Sequence, residues 1–138
     1  MSLYEQYDTN RNKEKDGVWF NFGPGENGDI RIKIARAGGS NKKFLRVVDR
    51  VTRPHRRAID TEKIDPELLT RLNCEALAES VVLDWENVTD RDGNSLPCTK
   101  ANVEKILMDL PDLYRDIMKF SQDMKNYQDA AVEVEKGN

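Results

Sequence analysis

The sequence predicts an α+β domain that is mainly α-helical, with an N-terminal β-hairpin at about residues 17–35 followed by about four amphipathic helices. Three observations predict it. Apolar and polar residues alternate between residues 18 and 34, apolar residues recur at helical spacing from residue 44 onwards, and glycine or proline separates the segments. The 138 residues suit a single domain spanning 1–138.

The polar residues 1–16 predict a short helical or mobile arm ahead of the hairpin. The two strands then follow from strict alternation of apolar residues. The alternating apolar positions are Val18, Phe20, Phe22, Ile30, Ile32 and Ile34. Isolated hairpins are marginal in water, so one face of this hairpin must be covered.

The segment FGPGENGDI between the strands contains the spacing G-x-G-x-x-G, which cradles phosphates in nucleotide-binding proteins. That motif needs a helix after the loop, whereas the next residues, IRIKIA, alternate as a strand. Pro24 also lacks the backbone N–H that a phosphate loop would use. We therefore predict a hairpin turn at Asn27-Gly28 and no nucleotide site.

Helical spacing and capping residues predict the rest of the chain. Ser40 or Asn41 can cap the first long helix, and Pro54 predicts a kink or restart within it. Asp65-Pro66 is a typical helix start, and Pro111 interrupts the later helical pattern. The later segments are a second helix at about 66–82, a loop at 84–98, a third helix from 99, a fourth helix at 113–127 and a flexible tail at 132–138.

The periodic apolar positions of these elements predict the core. They are Phe20, Phe22, Ile30, Ile32, Ile34, Phe44, Val48, Leu69, Leu72, Val103, Ile106, Leu107, Leu110 and Leu113.

The sequence contains no arrangement that predicts an enzyme, a metal site or a cofactor site. His55 lacks a nearby orienting carboxylate or nucleophile, and Cys74 and Cys98 fit no zinc spacing. Asp90, Asp92 and Asn94 imitate the start of a calcium loop, but the glycine and glutamate required later in that loop are missing. Without a secretory signal or a long apolar run, we expect a cytosolic, reduced protein.

The charge is unevenly distributed along the chain. Residues 31–57 contain ten basic residues and one acid, although the whole chain carries a net charge of −3. The basic residues in this region that lie after the hairpin are Lys42, Lys43, Arg46, Arg50, Arg53, Arg56 and Arg57. They indicate either a helix that meets acidic partners or, as the alternative function, a small regulator that binds nucleic acid. Few aromatic residues accompany them, so we consider nucleic acid the weaker hypothesis.

Two blocks of sequence resemble tail assembly chaperones of lambda-like long-tailed phages. The first is GVWFNFGPGENGDIRIKIARAGGSNKKF, an aromatic strand that leads into a glycine turn and a helix. The second is VVLDWENVTDRDGNSLPCTKANVEKILMDLPDLYRDI, which resembles the family's helix end, W-E-N-V-T-D-x-D-G loop and helix ending in L-P-D-L. Together the two blocks cover about half of the chain.

The resemblance implies a function. Such proteins act in the host cytoplasm, are absent from the mature virion, and keep the tape measure protein soluble until tail tube subunits polymerise around it. They also self-associate and are often made in two lengths by a ribosomal frameshift. Lys136-Gly137-Asn138 is compatible with slippery codons, so the expected partners include a longer form of the same chain. No membrane partner is expected.

Physical reasoning adds candidate contact residues to this resemblance. Trp19 lies opposite the apolar face of the hairpin, so it either anchors self-association or packs on the N-terminal arm. Partner binding is expected in an apolar groove rimmed by charge that involves the last helix. Its candidate residues Tyr114, Met118 and Met124 are alternatively ordinary core residues.

Overall fold

The computed structural model describes residues 1–129 and the backbone of Val134–Glu135. The elements follow one another as α1 (Leu3–Tyr7), α2 (Arg11–Asp16), β1 (Val18–Gly25), β2 (Gly28–Ile34), α3 (Lys42–Thr52), a 3₁₀ helix (Arg53–His55), α4 (Arg56–Asp60), α5 (Pro66–Ser80), β3 (Val82–Glu86), α6 (Lys100–Asp109), α7 (Pro111–Gln122), a second 3₁₀ helix (Met124–Tyr127) and β4 (Val134–Glu135). The predicted α+β, mainly α-helical class is confirmed.

Three strands form an antiparallel sheet in the order β3-β2-β1, and the two residues of β4 extend it beside β1 in parallel. The predicted hairpin is confirmed, with Phe20 opposite Ile32 and Val18 opposite Ile34. Its turn residues are Glu26 and Asn27, and Gly28 opens β2 at a φ of 125°. The turn therefore lies one residue before the predicted Asn27-Gly28 pair, with the glycine supplying the backbone conformation that side chains rarely adopt.

The third strand, β3, corrects the sequence-based prediction that residues 84–98 are loop throughout. Trp85 lies opposite Ile32 and Val82 opposite Ile34, and the register shifts between these two pairs. Val82 and Trp85 are buried, while Leu83 and Asp84 between them are exposed. The irregularity thus removes the two-residue alternation by which a strand is recognised in a sequence.

Capping side chains fix two of the helix starts as predicted. The Asp65 carboxylate accepts the N–H of Leu68, and the Thr99 hydroxyl accepts the N–H of Asn102. At the start of α3, however, the Asn41 side chain donates instead to the carbonyls of Arg36 and Ser80. Asn41 therefore ties the end of the hairpin to the end of α5 rather than capping its own helix.

Both proline breaks occur where they were predicted. Pro54 lies in the 3₁₀ helix between α3 and α4, and Pro111 begins α7. The last helix is shorter than predicted, since α7 ends at Gln122 and a 3₁₀ helix follows. Tyr127 is nevertheless fully buried, and its hydroxyl donates to the Ile34 carbonyl at 3.1 Å, which satisfies the buried polar group.

The N-terminal arm is docked through α2, whereas α1 is exposed. Glu14 is 2% exposed, and its carboxylate accepts hydrogen bonds from Arg36 and from both the N–H and the hydroxyl of Ser40. Gly39, at a φ of 54°, leaves the space for this carboxylate, because a Cβ there would collide with it. The glycine-rich turn that follows the hairpin thus serves as a receptor for the arm. The predicted tail at 132–138 lies outside the described residues apart from β4.

The core has two parts. The main core packs the covered face of the sheet against α5, α6 and α7, and a smaller second core packs α3 against α5. Predicted core residues that are buried are Phe20, Ile32, Ile34, Leu72, Val103 and Leu107. Those half-buried are Phe22, Ile30, Phe44, Val48, Leu69, Ile106 and Leu113. Two predictions need correction: Val47 rather than Val48 is the buried neighbour on α3, and Leu110 is 42% exposed.

Candidate functional site

An open apolar groove lies between the covered face of the sheet and the helices α6 and α7, with a volume of about 450 Å³. The sheet contributes Phe22, Ile30, Ile32, Val82 and Trp85. The helices and the loop before them contribute Val88, Thr89, Val103, Ile106, Leu107, Leu110, Asp112, Leu113, Asp116 and Ile117. Most of these side chains are apolar, which is the usual composition of a ligand or peptide site.

The break at Pro111 accounts for the shape of this groove. Leu110 is the residue between α6 and α7, and the helices change direction there because proline cannot continue the hydrogen bonding of the preceding helix. Leu107 and Ile117, one on each helix, are 1% exposed and form the groove's deep wall. Leu110 itself stays 42% exposed at the mouth. The bend therefore leaves apolar surface that neither helix covers.

A second cavity of about 340 Å³ continues the groove past the shared residues Thr89, Ile106 and Leu110. It ends at the loop 90–92, whose backbone is held by hydrogen bonds to one side chain. The Asp90 carboxylate accepts the N–H groups of Asp92 and Asn94, both at 2.9 Å. This turn chemistry explains the aspartates and asparagine that imitate a calcium loop in the sequence.

Aspartates surround the combined groove. The lining includes Asp90, Asp92, Asp109, Asp112 and Asp116, against the two cations Arg91 and Lys105. Lys105 donates to Asp109 at 2.7 Å, and this hydrogen bond lowers the pKa of Asp109. Asp112, which is largely exposed, pairs with Arg115 one turn further along α7. The groove is therefore apolar in its depth and net negative around its mouth.

Comparison with protein families gives one match that covers most of the chain. The model of the YdaY prophage protein matches residues 39–138. The chain belongs to the YdaY prophage protein family. Comparison with curated proteins and with solved structures gives no match.

The match shows that this YdaY-family protein is phage-derived. The sequence resemblance to phage tail proteins implies the same origin. The matched residues include β3, α6 and α7, and hence three walls of the groove. The hairpin, which supplies Phe22, Ile30 and Ile32, precedes the matched region.

The three candidate residues predicted for partner binding lie outside the lining of the groove in this YdaY-family protein. Tyr114 and Met118 are half-buried and pack against the main core. The Tyr114 hydroxyl accepts a hydrogen bond from Asn73 at 3.2 Å, and burial raises the pKa of Tyr114. Met124 is half-buried in the 3₁₀ helix after α7. From the last helix, the groove takes Leu113 and Ile117 with Asp112 and Asp116.

Sequence reasoning missed the aspartates of the rim and the contribution of Trp85 to the groove. A signal for the site was present, since Ile106, Leu110 and Leu113 form an apolar stripe that continues across Pro111. Such a stripe crossing a helix break indicates that two helices share one apolar surface at an angle.

Trp19 lies on the other face of the sheet, where it is half-buried among charged residues. The Arg31 guanidinium lies 4.8 Å from the centroid of its ring, and the Lys33 ammonium lies 6.0 Å away. These cation–π contacts give the tryptophan partners within its own sheet. Its role in self-association stays a prediction.

Several cations of the predicted basic segment have acidic partners within the YdaY-family chain. Arg53 and Arg56 both pair with Asp49, and Arg50 pairs with Glu79 on α5. Lys42, Lys43, Arg46 and Arg57 are exposed. The pairing reduces the positive charge that this segment could offer to phosphates, since two carboxylates offset part of the charge of these three arginines.

We expect Glu79→Gln to lower stability at neutral pH and to lower it progressively less as the pH falls below about 4. Arg50 donates twice to the Glu79 carboxylate, at 2.7 and 2.8 Å, and Lys100 donates once at 2.8 Å. These hydrogen bonds lower the pKa of Glu79 to about 2. The stabilisation is present above the unfolded pKa of about 4.3 and is lost as the pH falls towards the folded value.

The measurement is urea unfolding of both proteins between about pH 7 and pH 3. Glu67→Gln, on the exposed side of the same helix, is the matched control and should change stability little. An equal deficit for Glu79→Gln at both ends of the pH range would show that the carboxylate charge is not the cause.

The thiols and the histidine show no catalytic arrangement. Burial raises the pKa of both Cys74 and Cys98 to about 11, which disfavours the reactive thiolate. His55 is half-buried in the first 3₁₀ helix. Within residues 1–129, no three His, Cys, Asp or Glu side chains form a group that could hold a metal ion. The described helices also include none that is long and apolar enough to cross a bilayer.

Proposed function

We propose that this prophage protein is a tail assembly chaperone that binds an apolar segment of the tape measure protein in the groove between the sheet, α6 and α7. The observation that carries the proposal is the open groove itself, in which Leu110 is 42% exposed beside half-buried Phe22, Ile30, Ile106 and Leu113. An open groove lined mostly by apolar side chains is the usual form of a site for a ligand or for a segment of another chain.

The position of the two chaperone-like sequence blocks supports the proposal. The first block forms the hairpin and the glycine-rich turn that receives Glu14. The second forms β3, the loop 87–99, α6 and the start of α7. These two blocks therefore supply the walls of the groove, whereas α3 and α4 lie mostly between them in the sequence.

The surface composition supports a solubilising role. A tape measure protein is long and helical and has apolar stripes that aggregate when they are exposed. A partner that covers such a stripe and presents charge to water keeps the complex soluble. In this chain 34% of residues are charged, and the groove mouth itself carries aspartates. The proposed role places the protein in the host cytoplasm during assembly, outside the finished virion, with the tail tube protein as the later partner.

The direct test is co-expression with the tape measure protein of the same prophage, followed by measurement of the soluble fraction of that partner. Leu110→Glu places a charge at the mouth of the groove, and because Leu110 is already exposed the variant should still fold. We expect it to lower the soluble fraction by about ten-fold, since burying an unpaired carboxylate in an apolar contact is costly.

Leu45→Glu is the matched control, because Leu45 is also an exposed helical leucine (52%) but lies on α3 outside the groove. It should leave the soluble fraction unchanged. If the tape measure protein is equally insoluble with and without the parent chain, the proposed function is wrong. If Leu45→Glu and Leu110→Glu act alike, the groove is not the binding site.

A further inference from the structure

The charge around the groove is specific enough to indicate what kind of segment it accepts. Asp112 and Asp116 lie four residues apart on α7, so both carboxylates stand on one face of that helix, about one turn from each other. They flank Leu113, which lines the groove between them. At the far end of the groove, Asp90, Asp92 and Asp109 outnumber Arg91 and Lys105. When the Arg115 partner of Asp112 is included, each end of the apolar surface still carries one more carboxylate than cations.

The walls favour a helical occupant over an extended strand. A strand would need a row of free backbone N–H and C=O groups to pair with, whereas the groove is formed by side chains that project from the sheet face and from two helices. A helix satisfies its own backbone hydrogen bonds, so it can enter an apolar groove without such partners. The N–H of Trp85 on the edge strand β3 already donates to the Asp84 carboxylate at 2.8 Å.

We propose that the groove selects basic amphipathic helices, with apolar side chains at i, i+3 or i+4 and i+7 and with Lys or Arg beside both ends of the apolar stripe. This inference rests on the proposed function and names the chemistry of the tape measure segment that is bound. Apolar contacts supply the affinity, and the aspartates discriminate against acidic helices through like-charge repulsion. Acidic amphipathic helices would then be excluded although their apolar faces fit equally well.

The test uses the full chain carrying Trp19→Phe, so that Trp85 in the groove is its only tryptophan. Two synthetic helical peptides of about 18 residues share one leucine face, while their polar faces carry lysine in one and glutamate in the other. The change in Trp85 fluorescence on titration reports binding at the groove. We expect the lysine peptide to bind at least about ten-fold more tightly at low salt, and the preference to shrink in about 0.5 M salt.

Two double variants, one at the rim and one as its control, test whether the rim is the source of the preference. Asp112→Asn combined with Asp116→Asn should reduce the preference to about three-fold or less, because it removes two charges from one wall. The matched control is Asp16→Asn combined with Asp60→Asn, which alters two exposed aspartates outside the groove and should keep the full preference. Leu110→Glu should abolish the binding of both peptides.

Each result has a defined meaning. Equal affinities for the two peptides, or no fluorescence change with either, would overturn the inference. So would a preference that survives Asp112→Asn with Asp116→Asn, since the rim would then not be its source. The proposed function fails separately, in the co-expression experiment, if the tape measure protein gains no solubility from the chain.

Discussion

We expect Phe20→Ala to lower the free energy of unfolding by about 3–5 kcal/mol. Phe20 is 0% exposed at the centre of the main core, and its ring stacks on that of Phe120 with centroids 5.1 Å apart and planes 7° apart. Its cross-strand partner Ile32 is also buried. Truncation therefore leaves a cavity that is bounded by the sheet on one side and α7 on the other, where collapse is restricted.

Denaturant unfolding of the two proteins measures this loss. Phe20→Leu keeps most of the volume and should cost less, about 1–2 kcal/mol. Leu45→Ala, at a position 52% exposed on α3, is the surface control and should change stability by less than about 0.5 kcal/mol. A loss below about 1 kcal/mol for Phe20→Ala would contradict the packing of the sheet on α7.

The second large effect is expected for Arg36→Met, which should cost about 2–4 kcal/mol at neutral pH. Arg36 Nη1 lies 2.5 Å from a Glu14 carboxylate oxygen, and the Glu14 side chain is 2% exposed. Methionine would fill the volume of the arginine stem but leave the buried carboxylate with fewer hydrogen bonds. The expected result combines a loss of stability with undocking of the N-terminal arm.

The pH dependence identifies the Glu14 charge as the cause. Burial acts to raise the pKa of Glu14, but hydrogen bonds from Arg36 and Ser40 outweigh it and lower the pKa. The stabilisation is therefore complete above the unfolded pKa of about 4.3 and is lost as the pH falls through the lowered folded value. Without Arg36 this stabilisation is reduced to what the Ser40 hydrogen bonds supply, so the deficit of Arg36→Met should shrink below about pH 4.

Thermal melts between about pH 7 and pH 3 measure this change, and proteolysis near residue 10 reports undocking of the arm. In the double variant Glu14→Gln with Arg36→Met, the loss should be smaller than the sum of the two single losses, because the pair interacts directly. Arg46→Met, at an exposed arginine on α3, is the control and should have little effect. A pH-independent deficit would mean that Arg36 acts through packing alone.

Local patterns were enough to predict the hairpin, the helix starts at Asp65-Pro66 and Thr99, and the breaks at Pro54 and Pro111. Each depends on interactions within a few residues: alternation along a strand, a capping side chain, or the missing N–H of proline. Fold class follows from these elements, because a short hairpin with one apolar face needs helices to cover it.

The candidate site was predicted only in outline. An apolar groove with a charged rim near the last helix was expected, and the structure has one at that helix, but its lining differs from the residues named in advance. Tyr114 and Met118 share the helix with Leu113 and Ile117 yet pack against the core. A helical pattern shows which residues share a face. Which of those residues stay uncovered depends on how the neighbouring elements pack against that face.

The sequence by itself determined the hairpin, the positions of the helices and the uneven charge, since these follow from neighbouring residues along the chain. Tertiary structure alone decided that residues 82–86 pair with β2, that Val47 rather than Val48 is buried, and that Leu110 stays at an open mouth. It also decided that the Glu14 carboxylate is buried against Arg36 and Ser40. Each of these depends on contacts between residues far apart in the sequence, whose relative placement is fixed only when the sheet and helices pack together.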